Sequence, residues 1–384
     1  MNAIEALSSV AAERRVVASG FERGWIVDDV LVSRHAGQWR ATRFDLDRLE
    51  ATGAAIPLGD VPEGTDHPLG RSVATIDASS LVRELAWVSR SGATTPVGIA
   101  PAYIRWPRLS PDGTRIVLGV LPPDRLRSNL RNDVRITVFD LRTRGRAALD
   151  GYSEPVWTPD SATIITSAGA PPQGGIAVQV ADGSRRMERL VTLEQGDAWP
   201  TAVSRDGAVL IYYGSKRSGT GVMDMGDIFV LDRRTQERRQ LELPGSQRGG
   251  RLSPDGRWLA FESLERNRIQ IHVRPYPALD ADYMVSPDGG DEPSWSPDGQ
   301  ELYFRHAANL VAVKVPAPGT VASWPAPEIL FTGPFVRDTY GDQSYDVAPD
   351  GRFLMMRPAA TGPVQVQVVL DWLAEVRARL AAAR

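Results

Sequence analysis

The chain has 384 residues, of which 42% are hydrophobic, and its 44 basic and 47 acidic side chains give a formal net charge of −3. This balance produces no strong overall field for nucleic acid or acidic membranes. The sequence has no cysteine, which excludes disulfides, thiolate metal sites and a cysteine nucleophile, and no apolar run approaches the ~20 residues of a membrane-spanning helix.

The N-terminal residues 1–20 carry Glu5, Glu13, Arg14 and Arg15 and have no long apolar stretch, which is unlike a secretory signal. Two groups of predicted strands follow, and neither contains a clean turn motif. The first comprises residues 30–34, 39–45 and 55–58, and the second comprises residues 72–77, 80–82, 83–89 and 95–98.

From residue 110 onward the chain repeats one tight turn. In the turn, Pro fixes φ at the second position, Asp bonds back to the turn backbone, and Gly accepts the positive φ at the end. A period in this range indicates an array of one supersecondary unit. The copies are Ser-Pro-Asp-Gly or close variants at residues 110–113, 158–161, 204–207, 253–256, 296–299 and 348–351, with spacings of 48, 46, 49, 43 and 52 residues.

Each turn lies between two apolar runs, and a third apolar run and a fourth, more polar run complete each repeat, for example at residues 228–232 and 239–243. Four antiparallel strands in ~40–45 residues are typical of a β-propeller blade. We therefore predict an all-β fold, a single closed propeller over residues 21–370. Eight blades are counted, with seven as the alternative if the two upstream groups share one.

The two ends of the chain have separate predicted roles. The last repeat lacks a fourth strand, and residues 14–18 within the segment 1–20 are predicted to supply it, which would close the ring and remove two open sheet edges. Residues 371–384 are predicted to form a helical tail, because Leu373, Val376 and Leu380 form a short apolar stripe.

Residues 293–299, Pro-Ser-Trp-Ser-Pro-Asp-Gly, resemble the TolB-type, WD-like propeller repeat. Several segments also resemble the C-terminal propeller region of bacterial eukaryote-like serine/threonine protein kinases. The resemblance implies a module that senses a ligand or docks a protein for kinase-type signalling. The segments are residues 43–49, 85–88, 270–277, 345–355 and 368–373.

The kinase catalytic domain of that family has no counterpart in this sequence. No histidine is followed by arginine, Asp-Phe-Gly does not occur, and neither Lys216 nor Lys314 follows Val-Ala-Ile. We expect no catalytic residues and no cofactor, with a kinase domain encoded upstream as a candidate partner. The expected location is cytoplasmic, or extracytoplasmic if the propeller belongs to a membrane-anchored kinase.

The sequence lacks the motifs of three classes of enzyme. A Gly-x-Ser-x-Gly elbow, a Gly-Lys-Ser/Thr phosphate loop and a His-Glu-x-x-His zinc motif are all absent from the sequence. The turn aspartates are expected only to tie their own turns, and no metal ligand is predicted. A metal-dependent propeller hydrolase or lactonase, with carboxylates from inner strands in the central channel, stays open as the alternative.

The mouth of the central channel is the predicted binding site. Residues at the start of the inner strands would face one rim, and a mixed ring of arginine and acid in a concave site could hold a small zwitterionic ligand or a peptide. The competing interpretation is a set of exposed loop charges. Neither nucleic acid nor a membrane is an expected partner. The rim residues are Arg105, Glu154, Asp197, Arg248, Glu292 and Asp342.

Overall fold

The structure of the protein is a computed structural model. Its backbone divides into two units, one comprising residues 1–80 and 362–384 and a larger one comprising residues 81–361. The structure describes the chain except at residues 1, 8–13, 22, 36–37, 46–47, 49, 59–72, 77–81, 122–133, 152, 169–173, 194–195, 216–225, 242–244, 266–267, 318–322, 338–342, 360–365, 370–371 and 383–384.

The smaller unit has one four-stranded antiparallel sheet, two strand pairs and a helix. The sheet runs in the order β3-β4-β5-β6, β1 pairs with β2, and β7 pairs with β32. The elements are β1 (Asn2–Leu7), β2 (Arg14–Phe21), β3 (Arg23–Val27), β4 (Val30–His35), β5 (Gln38–Asp45), β6 (Glu50–Pro57), β7 (Val73–Ile76), β32 (Val366–Val369) and α1 (Trp372–Ala382).

Helix α1 is the predicted C-terminal helix, and the structure confirms it. Its apolar stripe packs on the sheet side chains Val30, Val32, Ala41 and Ile56. Burial of such a stripe stabilises a short helix that would be marginal alone. The guanidinium of Arg377 adds ion pairs of 3.1 and 2.5 Å to Asp28 and Asp29. Among the described residues, no helix is long and apolar enough to cross a membrane.

The larger unit consists of six four-stranded antiparallel sheets, which we number 1 to 6. Sheets 1 to 3 each use consecutive strands, running from the inner to the outer edge. They comprise β10 (Tyr103–Leu109), β11 (Arg115–Leu121), β12 (Arg135–Asp140) and β13 (Arg146–Leu149); β14 (Ser153–Trp157), β15 (Thr163–Ser167), β16 (Gly175–Val180) and β17 (Glu188–Thr192); and β18 (Asp197–Val203), β19 (Val209–Ser215), β20 (Asp227–Asp232) and β21 (Arg238–Gln240).

Sheets 4 and 5 repeat this pattern, whereas sheet 6 combines strands from both ends of the unit in the order β30-β31-β8-β9. The strands are β22 (Ser246–Leu252), β23 (Trp258–Glu265), β24 (Arg268–Pro275) and β25 (Tyr283–Met284) in sheet 4; β26 (Asp291–Trp295), β27 (Glu301–His306), β28 (Asn309–Lys314) and β29 (Glu328–Thr332) in sheet 5; and β30 (Tyr345–Val347), β31 (Phe353–Pro358), β8 (Arg83–Val88) and β9 (Thr94–Pro96) in sheet 6.

The inner strands of the larger unit contact one another in sequence, from β10 through β14, β18, β22 and β26 to β30, and β30 contacts β10 again. Each sheet therefore has a neighbour on both sides. The prediction of an all-β fold of four-stranded antiparallel sheets is confirmed. The described residues contain seven such sheets, six in the larger unit and one in the smaller.

The prediction that residues 14–18 complete the last repeat is wrong. Strand β2 pairs with β1, and the strand that joins β31 is β8, with Leu354 opposite Trp87. The second upstream group of predicted strands is accordingly split, because residues 83–88 and 94–96 belong to sheet 6 while residues 73–76 pair with β32. Sheet 6 gains its two outer strands from within the larger unit.

The repeated turns form as predicted, and the five that begin with Ser or Thr share the same hydrogen bonds. In sheet 5, Ser296 Oγ donates to Asp298 Oδ1 at 2.6 Å, and Asp298 Oδ1 accepts from the backbone N–H of Gln300 at 3.1 Å. The N–H of Glu301 donates to Ser296 Oγ at 2.9 Å. Gly299 has φ of 71°, a conformation that glycine adopts at little cost.

Replacing Ser296 by Ala should lower the free energy of unfolding by about 1–2 kcal/mol, because the N–H of Glu301 then loses its acceptor beside a buried strand. Ala348 occupies the same turn position in sheet 6 and lacks a hydroxyl, so an Ala348→Ser variant is the reciprocal change. Urea unfolding followed by tryptophan fluorescence measures both. Equal midpoints for wild type and Ser296→Ala would contradict this role for the hydroxyl.

Tryptophans fill the space between neighbouring sheets, as expected from the area that an indole covers. Trp106, Trp157 and Trp295 are buried. The indole N–H of Trp157 donates to the carbonyl of Arg108 in the preceding sheet at 3.1 Å. Trp295 donates in the same way to the carbonyl of Arg251 at 3.0 Å, so these two indoles also fix the register between adjacent inner strands.

Candidate ligand-binding centre

The inner strands carry a repeated irregularity that places polar side chains near their starts. A break in register interrupts the pairing of β10, β14, β18, β22 and β26 with their neighbours. At the residue four positions before the turn, the φ value is positive in four strands: Trp106 (52°), Glu154 (49°), Gly249 (65°) and Glu292 (57°). Such bulges redirect side chains, and a positive φ at a residue other than glycine is strained.

Four of the six predicted rim residues are buried in the structure, so they are not exposed loop charges. Arg105 is 3% exposed, Glu154 6%, Arg248 8% and Glu292 1%. Asp197 is half-buried at the start of β18, and Asp342 lies outside the described residues. A buried charge needs a partner, so the contacts of these side chains define what the centre does.

Two of these side chains, Arg105 and Glu154, contact aromatic residues of sheets 1 and 3. The guanidinium of Arg105 lies 4.5 Å from the ring centroid of Trp106, a cation–π distance. The hydroxyl of Tyr213 donates to Glu154 Oε1 at 2.7 Å, which joins sheet 3 to sheet 2. Both contacts are consistent with positioning of the inner strands.

The other two, Arg248 and Glu292, meet through Glu262 of strand β23. Arg248 Nε donates to Glu262 Oε2 at 2.7 Å, and the backbone N–H of Glu292 donates to Glu262 Oε1 at 2.9 Å. Burial raises the pKa of Glu262 and outweighs the opposing attraction of Arg248. The buried charge of Glu262 is therefore stable only while Arg248 is present beside it.

The carboxyl group of Glu292 is held by sheet 6. Glu292 Oε2 accepts from the backbone N–H of Ser344 at 2.8 Å and from its hydroxyl at 2.5 Å. Tyr345 donates its hydroxyl to the carbonyl of Glu292 at 3.0 Å. Burial, followed by the nearby charge of Asp291, raises the pKa of Glu292 to about 8, so this carboxyl is mostly protonated at neutral pH.

Around Glu292, several buried polar atoms have no hydrogen-bond partner among the described residues. They comprise two carboxyl oxygens, Asp291 Oδ1 and Glu292 Oε1, and three guanidinium nitrogens, Arg305 Nε, Arg305 Nη1 and Arg337 Nε. Because Glu292 Oε2 already accepts two hydrogen bonds, the proton of the neutral carboxyl lies on Oε1, and this oxygen becomes an acceptor only when Glu292 ionises. We call Asp291, Glu292, Arg305 and Arg337 the polar cluster. A buried unsatisfied group costs about 1–3 kcal/mol, so the cluster has unused capacity for a polar occupant.

The polar cluster has a buried end and an end open to solvent. Arg305 is only 1% exposed, and its Nη2 donates to the carbonyl of Phe335 at 3.3 Å. Arg337 forms an ion pair with Asp291, and the Arg337 side chain is 35% exposed. Burial lowers the pKa of Arg305, although the nearby Glu292 opposes the shift. Donors and acceptors thus lie side by side, and solvent reaches the cluster at Arg337.

The sequence patterns did not predict a role for four residues of this site, namely Glu262, Asp291, Arg305 and Arg337. Glu262 and Arg305 lie in second strands, where each directly follows a phenylalanine in an apolar run, Leu-Ala-Phe-Glu and Leu-Tyr-Phe-Arg. A charge in such a run signals a buried polar function. No comparable pattern marks Asp291 or Arg337, whose role arises from contact between distant segments.

Replacing Glu292 by Gln should reduce the fall in stability as pH rises from about 4.5 to 8. The folded-state pKa of about 8 lies above the ordinary value of 4.5. The folded protein keeps a proton that the unfolded chain releases, so this stabilisation is full below pH 4.5 and is lost as pH rises through 8. Urea unfolding across this range tests it, with Glu328→Gln at an exposed site as control. An unchanged slope in Glu292→Gln would contradict the shift.

A cavity of about 380 Å³ lies at the seam between sheets 6 and 1, where Trp87, Leu109, Arg144 and Arg352 contribute to its lining. Leu109 occupies the strand position that Trp157 and Trp295 fill at two other seams. The Arg352 guanidinium covers the ring of Trp87 at 4.6 Å. Arg352 is paired with Asp350 at 2.7 Å, and Arg144 donates to the carbonyl of Val97 at 3.0 Å.

The hydrolase alternative requires carboxylate or imidazole side chains arranged around a metal ion. Among the residues that the structure describes, no group of three or more His, Asp or Glu side chains is arranged to hold a metal ion.

Comparison with known proteins gives a likeness of fold. No family model matches the sequence, and no curated protein matches it significantly. The chain is similar to the structure of putative TolB from Agrobacterium tumefaciens, with 18% identity over 72% of this chain and 98% of that one and a TM-score of 0.54.

Two further solved structures give weaker superpositions. TolB from Acinetobacter baumannii is 17% identical over 90% of this chain and 81% of that one, with a TM-score of 0.45. An oligogalacturonate lyase in complex with manganese is 16% identical over 92% of this chain and 82% of that one, with a TM-score of 0.38. At these identities likeness concerns the fold alone. Together with the six four-stranded sheets, the first comparison shows that this chain has a β-propeller fold of the TolB kind.

Proposed function

We propose that the protein is a non-catalytic recognition module that binds a small ligand, or a charged group of a protein partner, at the polar cluster. The observation that carries this proposal is the group of five buried polar atoms that have no partner among the residues the structure describes. Native proteins leave few such atoms, and each one calls for water, an ion or a ligand. Here they lie together, beside the half-exposed Arg337.

The chemistry of the cluster favours binding over catalysis. Nucleophilic catalysis requires a nucleophile activated by an adjacent base. Ser344, the hydroxyl in contact with the cluster, donates to Glu292 Oε2, and Glu292 has a raised pKa. A mostly protonated carboxyl is a poor base at neutral pH. Carboxyl and guanidinium groups that are held in place by fixed contacts suit the orientation of a polar ligand.

The proposal extends to a signalling role of the serine/threonine kinase type. Its support is the resemblance of residues 43–49, 85–88, 270–277 and 345–355 to the propeller region of those kinases. The test is a phosphorylation assay with a kinase encoded next to this chain, with and without the protein. We expect a change in autophosphorylation that Glu292→Gln abolishes. An equal effect of wild type and variant would contradict the link.

Ligand binding itself is tested by screening metabolites and short peptides for a rise in melting temperature, followed by calorimetry on each hit. We expect Glu292→Gln to weaken a true ligand at least tenfold, equivalent to about 1.4 kcal/mol, and Glu328→Gln to leave affinity unchanged. Glu328 is exposed on β29 and undergoes the same chemical change. A hit that binds Glu292→Gln as tightly as wild type would contradict this location. Hydrolytic activity lost on chelation would instead support the metal-dependent alternative.

A further inference from the structure

The polar cluster combines two kinds of group with opposite charge, carboxyl and guanidinium. Asp291 and Glu292 are adjacent at the start of β26, and Arg305 of β27 is the cross-strand partner of Asp291. Arg337 reaches the same place from the segment after β29 and pairs with Asp291. Within the part of the chain that the structure describes, the atoms without a hydrogen-bond partner are carboxyl oxygens of Asp291 and Glu292 and guanidinium N–H groups of Arg305 and Arg337.

Neither kind of group alone explains the arrangement. A simple anion would use the donors of Arg305 and Arg337 and the O–H of protonated Glu292, but would leave Asp291 Oδ1 without a partner. A simple cation would leave the guanidinium N–H groups unused. An occupant that carries both a cationic donor group and an anionic acceptor group satisfies both sets, and buried polar groups are stable when all of them are satisfied.

We propose that the polar cluster binds the zwitterionic head of an α-amino acid, with its ammonium group at the oxygens of Glu292 and Asp291 and its carboxylate at the N–H groups of Arg305 and Arg337. This inference rests on the proposed function and names the ligand class of the same site. Charge-assisted hydrogen bonds of this kind are roughly twice as strong as neutral ones.

The ammonium group requires Glu292 to ionise when the ligand binds. The groups that face Glu292 are Asp291, Glu262, Arg305, Tyr345 and the hydroxyl of Ser344. With a pKa of about 8, Glu292 is mostly protonated at pH 7 in the empty site. Binding should then release close to one proton per ligand at pH 7, and affinity should rise up to about tenfold from pH 6 to 7. A simple anion would bind about equally well at pH 6 and at pH 7, because Glu292 stays protonated at both.

The experiment uses the full chain and each common α-amino acid at about 10 mM, a concentration that detects millimolar dissociation constants. Melting-temperature shifts identify the binders, and calorimetry in buffers of different ionisation enthalpy gives affinity and proton release. The N-acetyl and carboxamide derivatives of the same amino acid remove one charge each. We expect each derivative to bind at least tenfold more weakly, and Glu292→Gln to lose the proton release.

Wild-type protein suffices for the derivative comparison, so the test stands even if Glu292→Gln folds poorly, and Arg305→Lys provides a second variant. An amino acid that binds equally well after acetylation, or whose affinity does not rise from pH 6 to 7, overturns the zwitterion class but leaves ligand binding intact. If no amino acid binds, the cluster holds only water or another ligand, and this inference is overturned. The wider screen described above then decides the proposed function separately.

Discussion

Replacing Ala86 by Asp should destabilise the larger unit by about 4 kcal/mol or more. Ala86 is fully buried in β8, where it pairs with Met355 of β31 and with Pro96 of β9. A carboxylate at this position would be buried without a partner, which is among the few single changes with effects of this size. The change would also disrupt sheet 6, in which strands from both ends of the larger unit pair.

Ala148 provides the matched control. It is exposed on β13, the outermost strand of sheet 1, so Ala148→Asp makes the same chemical change at a solvated edge and should cost less than about 1 kcal/mol. Urea unfolding followed by tryptophan fluorescence measures both variants. Similar losses at the two positions would show that Ala86 is not inside a sheet formed by both ends.

Replacing Arg248 by Met should cost about 3–5 kcal/mol, because it leaves Glu262 buried without its charge partner. Arg248 Nε lies 2.7 Å from Glu262 Oε2, and the two side chains are 10% and 2% exposed. The pKa of Glu262 is already raised by burial. Loss of Arg248 removes the attraction that favours ionisation, so the variant should take up a proton at this site.

The double variant Arg248→Met, Glu262→Gln should recover most of the loss, since the glutamine oxygen can still accept from the backbone N–H of Glu292. Such recovery is the expected signature of a buried ion pair whose members are costly singly and nearly neutral together. Calorimetric melting of the two single variants and the double variant gives the coupling. Additive losses would contradict an interaction between these two groups.

The local pattern was predictable because the repeated turn is a short-range feature. Ser-Pro-Asp-Gly determines its own hydrogen bonds, and the flanking apolar runs determine the strands. The closing strand was not predictable in the same way. Residues 14–18 and residues 83–88 are both plausible apolar strands, and only the long-range pairing of Leu354 with Trp87 distinguishes them. Pairing across more than 260 residues leaves no local signal.

The strand positions of the predicted rim residues followed from the repeat, but their burial did not. Arg248 and Glu292 lie near the starts of β22 and β26, where the register of the repeated turns places them. Their burial depends on the bulges of β22 and β26, which a regular strand pattern does not reveal. Arg305 and Arg337 join Glu292 through β27 and the segment after β29, so the full cluster becomes visible only when that segment is placed against sheet 5.

The most direct test of the account uses a pair of cysteines in a chain that has none. Glu84 and Arg357 are cross-strand partners in sheet 6, and their side chains form a 2.6 Å ion pair. We predict that Glu84→Cys with Arg357→Cys forms a disulfide under mild oxidation, detected by intact mass and by altered gel mobility. Two free thiols in the folded double variant after oxidation would show that β8 does not pair with β31, and would contradict the six-sheet unit around the polar cluster.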